Sequence, residues 1–178
     1  MKLVLRLDLS YVPWNAQVHH EPAAFIRLLD VGRRHGLKYH FFVSTANVLA
    51  FPTMADQALN DGHDVDWLRF SERDELDRAE DAFQRLGHRV VGGAGTVPCL
   101  DERLQWWIPD ATPEPRSTEI LPFPLTGPCD DVRVLWSSPT ILGAASDLET
   151  NWLNAIEESI QRQAELVTFR AIFPPTKP

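Results

Sequence analysis

Short apolar strands and amphipathic helices alternate along the first half of the chain, and this alternation restricts its fold more than any other feature. The first strand spans residues 2–9, with leucines at its odd positions on one face and Val4, Arg6, Asp8 and Ser10 on the other. Helical and extended stretches then follow in turn: PAAFIRLLDVGRRHG, KYHFFVS, ADQALNDG, HDVDWLR, ERDELDRAEDAFQRLG and HRVVGGAG. Strands that alternate with helices of this length form right-handed crossovers. The pattern therefore predicts an α/β fold with a mainly parallel sheet, either open or closed into a barrel.

The second half of the chain loses this rhythm. From Pro98 to about residue 130 it is rich in proline and predicts loops with two short strands, LQWWI and EILPFPL. VRVLWSS predicts a further strand at an edge of the sheet, a long amphipathic helix follows from about Asp147, and VTFRAIF predicts a closing strand. No repeat or low-complexity linker separates these pieces, so a single domain over residues 1–178 is expected.

The composition is that of a soluble globular protein, with 44% apolar and 24% charged residues. The formal net charge of -8 disfavours nucleic acid, because no cluster of basic residues is present to neutralise phosphates. The sequence contains no long uncharged apolar run of the kind that predicts a membrane span. Charged residues interrupt the apolar N-terminal strand, so this stretch is not typical of a signal peptide. Cys99 and Cys129 have no metal or redox spacing, which favours two incidental thiols over a disulfide. We expect a cytoplasmic protein, and homo-oligomer formation stays open.

Four stretches, LRLDLSY, GLKYHFFVS, GHDVDW and RVVGGAGTVPCLDERL, resemble the polysaccharide deacetylase family, the NodB-homology domain of carbohydrate esterases. In motif style they are most similar to deformylases of formamido-arabinose lipids. The resemblance covers nearly the whole chain in the order of its elements. It implies a distorted (β/α) barrel of about seven mainly parallel strands, with the active site at the carboxyl ends of the strands.

The family's metal site is incomplete at the matching positions. Asp8 matches the general base at the end of the first strand, whereas Ser10 stands where the resemblance implies a metal-binding aspartate. A serine hydroxyl is a poor ligand for a zinc-like ion. The run Gly62–Asp64 matches the motif that precedes two ligand histidines, and it puts Leu68 and Glu72 at their positions. The resemblance therefore implies that both imidazoles are missing.

The histidine that the family carries on its last strand, as an acid or to orient the leaving group, is also missing. Depending on the register, Arg170 or Phe173 takes its place in VTFRAIF. Neither side chain donates a proton near neutral pH. Base, ligands and acid act as a unit in such a mechanism, so the loss of several of them argues against activity.

The charged residues that remain have a structural and a functional interpretation. Asp8 forms an internal ion pair with Arg6 or with His40, or else it acts in catalysis or contacts a ligand. Asp64 and Asp66 share one face of the third strand, so with Asp8 they are expected to converge near the barrel mouth, where they could weakly hold magnesium or calcium. Otherwise no cofactor is expected.

Several further residues are candidates for binding a ligand. His40 is either a core histidine or a ligand, whereas His19 and His20 are expected on a surface loop. Trp14, with Trp67 and the pair Trp106–Trp107, is either a stacking platform for a sugar ring or part of the core or lid. Gly93, with Gly92 and Gly95, is expected to line the pocket with its backbone, while Arg6, Ser10, Asp64, Asp66 and Arg170 complete the candidate ligand-binding set.

Two functions from different classes follow. The first is a deacetylase-like domain with a degenerate metal site, catalytically inactive, that binds a small carbohydrate-like ligand or a protein partner. The second is a divergent hydrolase of a sugar N-acyl amide, with Asp8 as general base and Arg170 or a carboxylate-bound metal stabilising the oxyanion. A third possibility is an unrelated open α/β sheet with a crevice at a switch point between strands.

Overall fold

The computed structural model of the chain describes residues 1–10, 21–69, 75–96, 99, 101–109, 120–122, 132–139, 142 and 146–173. Eight strands in these residues form one sheet: β1 Lys2–Leu9, β2 His40–Ser44, β3 Asp64–Leu68, β4 Gly92–Gly95, β5 Trp106–Pro109, β6 Ile120–Pro122, β7 Val132–Ser137 and β8 Glu165–Val167. Their order is β5-β4-β3-β2-β1-β7-β6, and β8 lies beside β1. Every strand pair is parallel except β6 with β7. The sheet curls into a half-barrel, which confirms the predicted distorted (β/α) barrel over an unrelated open sheet.

Helices flank this sheet: α1 Glu21–His35, α2 Thr45–Ala50, α3 Pro52–Asn60, α4 Leu76–Gln84, α5 Ser146–Gln161 and α6 Phe169–Ile172. Helix α1 ends as its sequence predicts, because Gly36 takes the left-handed conformation with φ 64° that favours glycine. Ser44 ends β2 and also caps α2, since its hydroxyl accepts a hydrogen bond from the backbone N–H of Asn47. A proline opens α3.

The two faces of β1 pack into two different cores. Its odd-numbered leucines are fully buried in the outer core, between the sheet and the helices. Its even-numbered residues face the inside of the half-barrel, where Val4 joins an inner core. The inner core contains Val4, Phe42, Leu68, Ala94, Trp106, Ile108, Val132, Val134, Trp136 and Phe169. The interior is therefore packed with side chains, as in other small barrels.

The predictions for VTFRAIF and VRVLWSS were wrong in one respect each. The closing strand ends at Val167, and a short helix begins at Phe169. One edge of β1 is shared by β8, which pairs with its residues 2–4, and by β2, which pairs with residues 6–9. A longer β8 would collide with β2, so the chain turns away. VRVLWSS forms β7, which lies between β1 and β6 and is not an edge strand.

Candidate functional site

The carboxylate that matches the family's general base is held by an arginine of its own strand. Nε of Arg6 donates a hydrogen bond to Oδ1 of Asp8 and Nη2 donates to Oδ2, both at 2.8 Å. The two residues are only 2% and 5% exposed. Residues two apart in a strand project from the same face, so the ion pair needs no long-range contact to form. This is the internal Arg6–Asp8 pair that the sequence offers as one interpretation.

The positions that match the family's metal ligands do not fit a metal ion. Ser10 is half-buried just after β1. Leu68 is 5% exposed in the inner core, where its apolar side chain offers no lone pair. Glu72 lies outside the described residues. Among the described residues, no group of three or more histidine, cysteine or acidic side chains is placed to hold a metal ion.

Asp66 lies at the centre of a second and more extensive network. Nε of Arg170 donates to its Oδ2 at 2.7 Å, and Nη2 of Arg170 donates to its Oδ1 at 2.8 Å. The backbone N–H groups of Val91 and Gly92 donate to the same Oδ1 at 3.1 and 3.2 Å. Burial alone would raise the pKa of this fully buried carboxyl, but His40 and Arg170 hold the pKa below its usual value. Asp66 is therefore ionised near neutral pH.

The network extends to two histidines. His40 is fully buried, and its Nδ1 accepts a hydrogen bond from the backbone N–H of Phe169 at 3.3 Å. Its Nε2 lies 3.3 Å from Oδ2 of Asp66. Burial lowers the pKa of His40 and also that of half-buried His88, whose Nε2 lies 2.7 Å from the carbonyl oxygen of Val65. Both rings are accordingly neutral near pH 7.

The structure separates the three carboxylates that were expected to converge: Asp66 is the middle residue of β3 and lies level with Asp8, and Phe42 of the intervening strand β2 lies between them. His40 and Asp64 are the first residues of β2 and β3. Asp64 accepts a hydrogen bond from the hydroxyl of Thr168 and pairs with Lys38 at 3.2 Å. Asp8 lies toward the carboxyl end of β1 and has Arg6. The three carboxylates thus have three separate cations and share no site.

The predicted tryptophan residues lie partly inside and partly outside the described part of the chain. Trp14 lies outside the described residues, as do His19 and His20. Trp67 is fully buried, and its indole N–H donates to the hydroxyl of Thr45 at 3.2 Å. Trp106 is 7% exposed and stacks on Phe173 with ring centroids 5.9 Å apart. These two side chains belong to the core.

Gly93 and Gly92 lie beneath two indole rings, while their predicted place in a pocket lining stays a prediction. A Cβ at Gly93 would lie 2.6 Å from the ring of Trp107, and a Cβ at Gly92 would lie 2.0 Å from the ring of Trp106. The glycines are part of β4 itself, and they let two indole rings lie directly on its backbone. Their role is in packing.

Three members of these networks were missed by the sequence reasoning. Trp136 faces inward on β7 with Val132 and Val134, and that spacing of two could have placed it. His88 and Thr168 lie in turns beside the sheet, where no periodic pattern marks them.

The fold of this chain is that of the polysaccharide deacetylases of the CE4 family. A CE4 family pseudoenzyme from Bacillus anthracis superposes with a TM-score of 0.65 at 10% identity, over 97% of this chain and 65% of that protein. The chain therefore spans less than two thirds of that protein. A mutant of the same pseudoenzyme with restored enzymatic activity superposes equally well, with a TM-score of 0.65.

Two further structures support the same fold. The CE4 domain of a multidomain xylanase from the hindgut metagenome of Trinervitermes trinervoides has a TM-score of 0.62 at 15% identity and covers 96% of this chain and 88% of that domain. A candidate polysaccharide deacetylase from Mycobacterium smegmatis has a TM-score of 0.68 at 11% identity, over 99% of this chain and 94% of that protein.

At the level of sequence, no protein-family model matches the chain and no curated protein is similar to it. The likeness therefore establishes the fold, and the activity has to be argued from the site. No helix in the part of the chain that the structure describes is long and apolar enough to cross a bilayer.

Proposed function

We propose that this chain is a catalytically inactive domain with the polysaccharide deacetylase fold, which acts by binding a small carbohydrate-like molecule. The observation that carries the proposal is the state of Asp8. Both oxygens of its carboxylate accept hydrogen bonds from the guanidinium of Arg6 in the buried interior. A general base has to reach the proton that it removes, in a suitable substrate pose. A carboxylate clamped in this way is poorly suited to that role.

The groups that would work with such a base support the same proposal. Leu68 contributes an apolar side chain to the inner core at a position where the resemblance implies a histidine. Arg170, the residue considered for stabilising an oxyanion, donates two hydrogen bonds to Asp66 and two more to the carbonyl oxygens of Val65 and Arg89. Its guanidinium is thus engaged on the side of Asp66. The hydrolase alternative would require both arginines to leave their carboxylates.

A precedent for this combination of fold and inactivity exists among the structural neighbours. The Bacillus anthracis protein is a pseudoenzyme of the CE4 family, and a mutant of it has restored enzymatic activity. That precedent motivates the proposal, although the two chains share only 10% identity. Saccharide binding by this chain rests on that analogy of fold, so it needs a direct test.

Three measurements test the proposal. Metal content is determined by mass spectrometry on untagged protein after dialysis, hydrolysis is assayed on N-acetylated and N-formylated sugars, and saccharide binding is measured by calorimetry with N-acetylglucosamine oligomers. We expect no stoichiometric metal, no hydrolysis, and saturable saccharide binding. Turnover that disappears in Asp8→Asn would establish the hydrolase instead. Absence of saccharide binding would refute the binding function.

A further inference from the structure

Residues 165–173, which comprise β8 and α6 and are called the C-terminal segment here, contact the sheet in two ways. Strand β8 pairs with residues 2–4 at the start of β1. Helix α6 packs against the inner core, where Phe169 is fully buried. The ring centroid of Phe169 lies 5.7 Å from that of Phe42 and 6.0 Å from that of Trp106. The C-terminal segment therefore covers part of the inner aromatic core.

Three consecutive residues of this segment make polar contacts with inward-facing residues of β2 and β3. The hydroxyl of Thr168 donates to Asp64, the backbone N–H of Phe169 donates to Nδ1 of His40 at 3.3 Å, and Arg170 donates to Asp66 at 2.7 and 2.8 Å. The acceptors are also neighbours, because His40 and Asp64 lie opposite each other in the sheet. We therefore expect the three contacts to form and break together, as in other local opening units.

The contact with His40 requires a neutral imidazole. Nδ1 accepts the N–H of Phe169 only while it keeps its lone pair, so the single proton of the ring belongs on Nε2, which lies 3.3 Å from Oδ2 of Asp66. A second proton on Nδ1 would set two donors against each other. The imidazolium would also compete with Arg170 for the carboxylate of Asp66. One added proton thus weakens two of the three contacts.

His88 lies against the third contact. Its Nε2 is 2.7 Å from the carbonyl oxygen of Val65 and 2.9 Å from Nη2 of Arg170. The same carbonyl oxygen accepts a hydrogen bond from that Nη2 at 2.9 Å. Ring and guanidinium therefore share one acceptor, and protonation of His88 would place a second positive charge beside Arg170.

The charged groups around the two rings do not outweigh the effect of burial. They are Asp64 and Asp66 of β3, Arg170 of α6 and, opposite His40 on β1, Arg6, which pairs with Asp8. Burial has the largest effect on the pKa of both histidines and lowers it, the two carboxylates of β3 raise it, and Arg170 lowers it. A ring that is released into solvent therefore binds a proton more readily than one that is held in the closed structure.

We propose that the C-terminal segment is an acid-released latch, which stays closed while His40 and His88 are neutral and opens as a unit when they are protonated. Opening separates α6 from β2 and β3 and exposes the rings of Phe42 and Trp106, while the outer core and its helices stay folded. This conformational device goes beyond the proposed binding function and does not depend on it.

Hydrogen exchange measured by mass spectrometry between pH 7 and pH 5, corrected for the intrinsic pH dependence of exchange, tests the latch. Each histidine has a lower pKa in the closed state than in the open state, so the latch is most stable above about pH 6.5 and weakens as the pH falls. With a pKa of about 6.5 in the open state, each ring increases the opening constant by up to about 25-fold between pH 7 and pH 5. We expect the amides of residues 165–173 to lose far more protection over this range than those of α1.

Two variants separate the latch from general acid unfolding. His40→Asn keeps an acceptor for the N–H of Phe169, His88→Gln keeps a donor to Val65, and neither new side chain titrates. In the double variant, protection of residues 165–173 should change by less than about threefold over the same range. His63→Asn is the matched control, since His63 is also buried and has a lowered pKa but packs on Tyr39 in the outer core, and it should keep the full response.

Three results would overturn the proposal. Equal loss of protection in α1 and in the C-terminal segment of the wild type would show that no separate latch opens. An undiminished response in the double variant, or a response that disappears in His63→Asn, would show that other groups control the opening. If the double variant does not fold, His88→Gln alone should reduce the response, because this ring is only half-buried and its replacement is mild. An unchanged response in that single variant would equally refute the latch.

Discussion

Replacement of Arg170 by methionine should cost this protein a large part of its stability. The change leaves Asp66, which is fully buried, without its two hydrogen bonds from the guanidinium. Breaking one partner of a buried ion pair costs about 3–5 kcal/mol. Asp66 keeps the backbone N–H groups of Val91 and Gly92, and the Arg170 side chain is 23% exposed, so the lower end is expected. We therefore expect a loss of about 3 kcal/mol, or about 9 °C in melting temperature for a chain of this size.

Urea denaturation at pH 7 measures this loss, and Arg103→Met is the matched control. Arg103 also pairs with several carboxylates, Asp77, Glu80 and Asp101, but its side chain is 45% exposed. Solvent screens ion pairs on the surface, so its loss should be much smaller. In Arg170→Met/Asp66→Asn the charge that was left unpaired is removed, and stability should recover in part. Equal losses in Arg170→Met and Arg103→Met would refute the reasoning from burial.

Three further predictions follow from single residues. Burial lowers the pKa of His63 to about 4, against about 6.5 in the unfolded chain, so the free energy of unfolding should fall by up to about 3 kcal/mol as the pH drops from 6.5 to 4. Urea titrations across that range should show a shallower slope for His63→Asn. Gly92→Ala should cost about 3 kcal/mol through its clash with Trp106, whereas Gly36→Ala, at φ 64° in open space, should cost about 1 kcal/mol in the same assay. Wild-type melting should not change on addition of a chelator, because the matched ligand positions Ser10 and Leu68 do not fit a metal ion.

Periodicity alone predicted most of the sheet and its helices. The alternation of β1 placed its leucines on the outer face and Arg6 with Asp8 on the inner face, as the structure shows. Where the prediction failed, a neighbouring strand decided the outcome. VTFRAIF is apolar enough to form a strand, but β2 occupies the edge of β1 from Arg6 onward, so the strand stops at Val167. Competition for one strand edge leaves no signal in the local sequence.

The difference between local and long-range contacts also explains which parts of the site were predictable. Arg6 and Asp8 are two residues apart, so their pairing follows from strand geometry. Arg170 and Asp66 are 104 residues apart, and their contact depends on where β8 stops. An Arg170 on a continuous strand would have pointed elsewhere. The expected meeting of Asp66 with Asp8 failed because the two residues lie two strands apart, with Phe42 of β2 between them.

The two arginine–carboxylate pairs therefore form for different structural reasons. Phe42 contacts the guanidinium of Arg6 and stacks on His40, which lies 3.3 Å from Asp66, so substitutions at Arg6 and Arg170 should show a measurable coupling in stability. The pair at Asp66 joins the C-terminal segment to β3 and β4, and it contributes to the stability of the sheet. The pair at Asp8 forms within β1 from the local sequence of that strand, whereas the pair at Asp66 depends on where the C-terminal segment ends its strand.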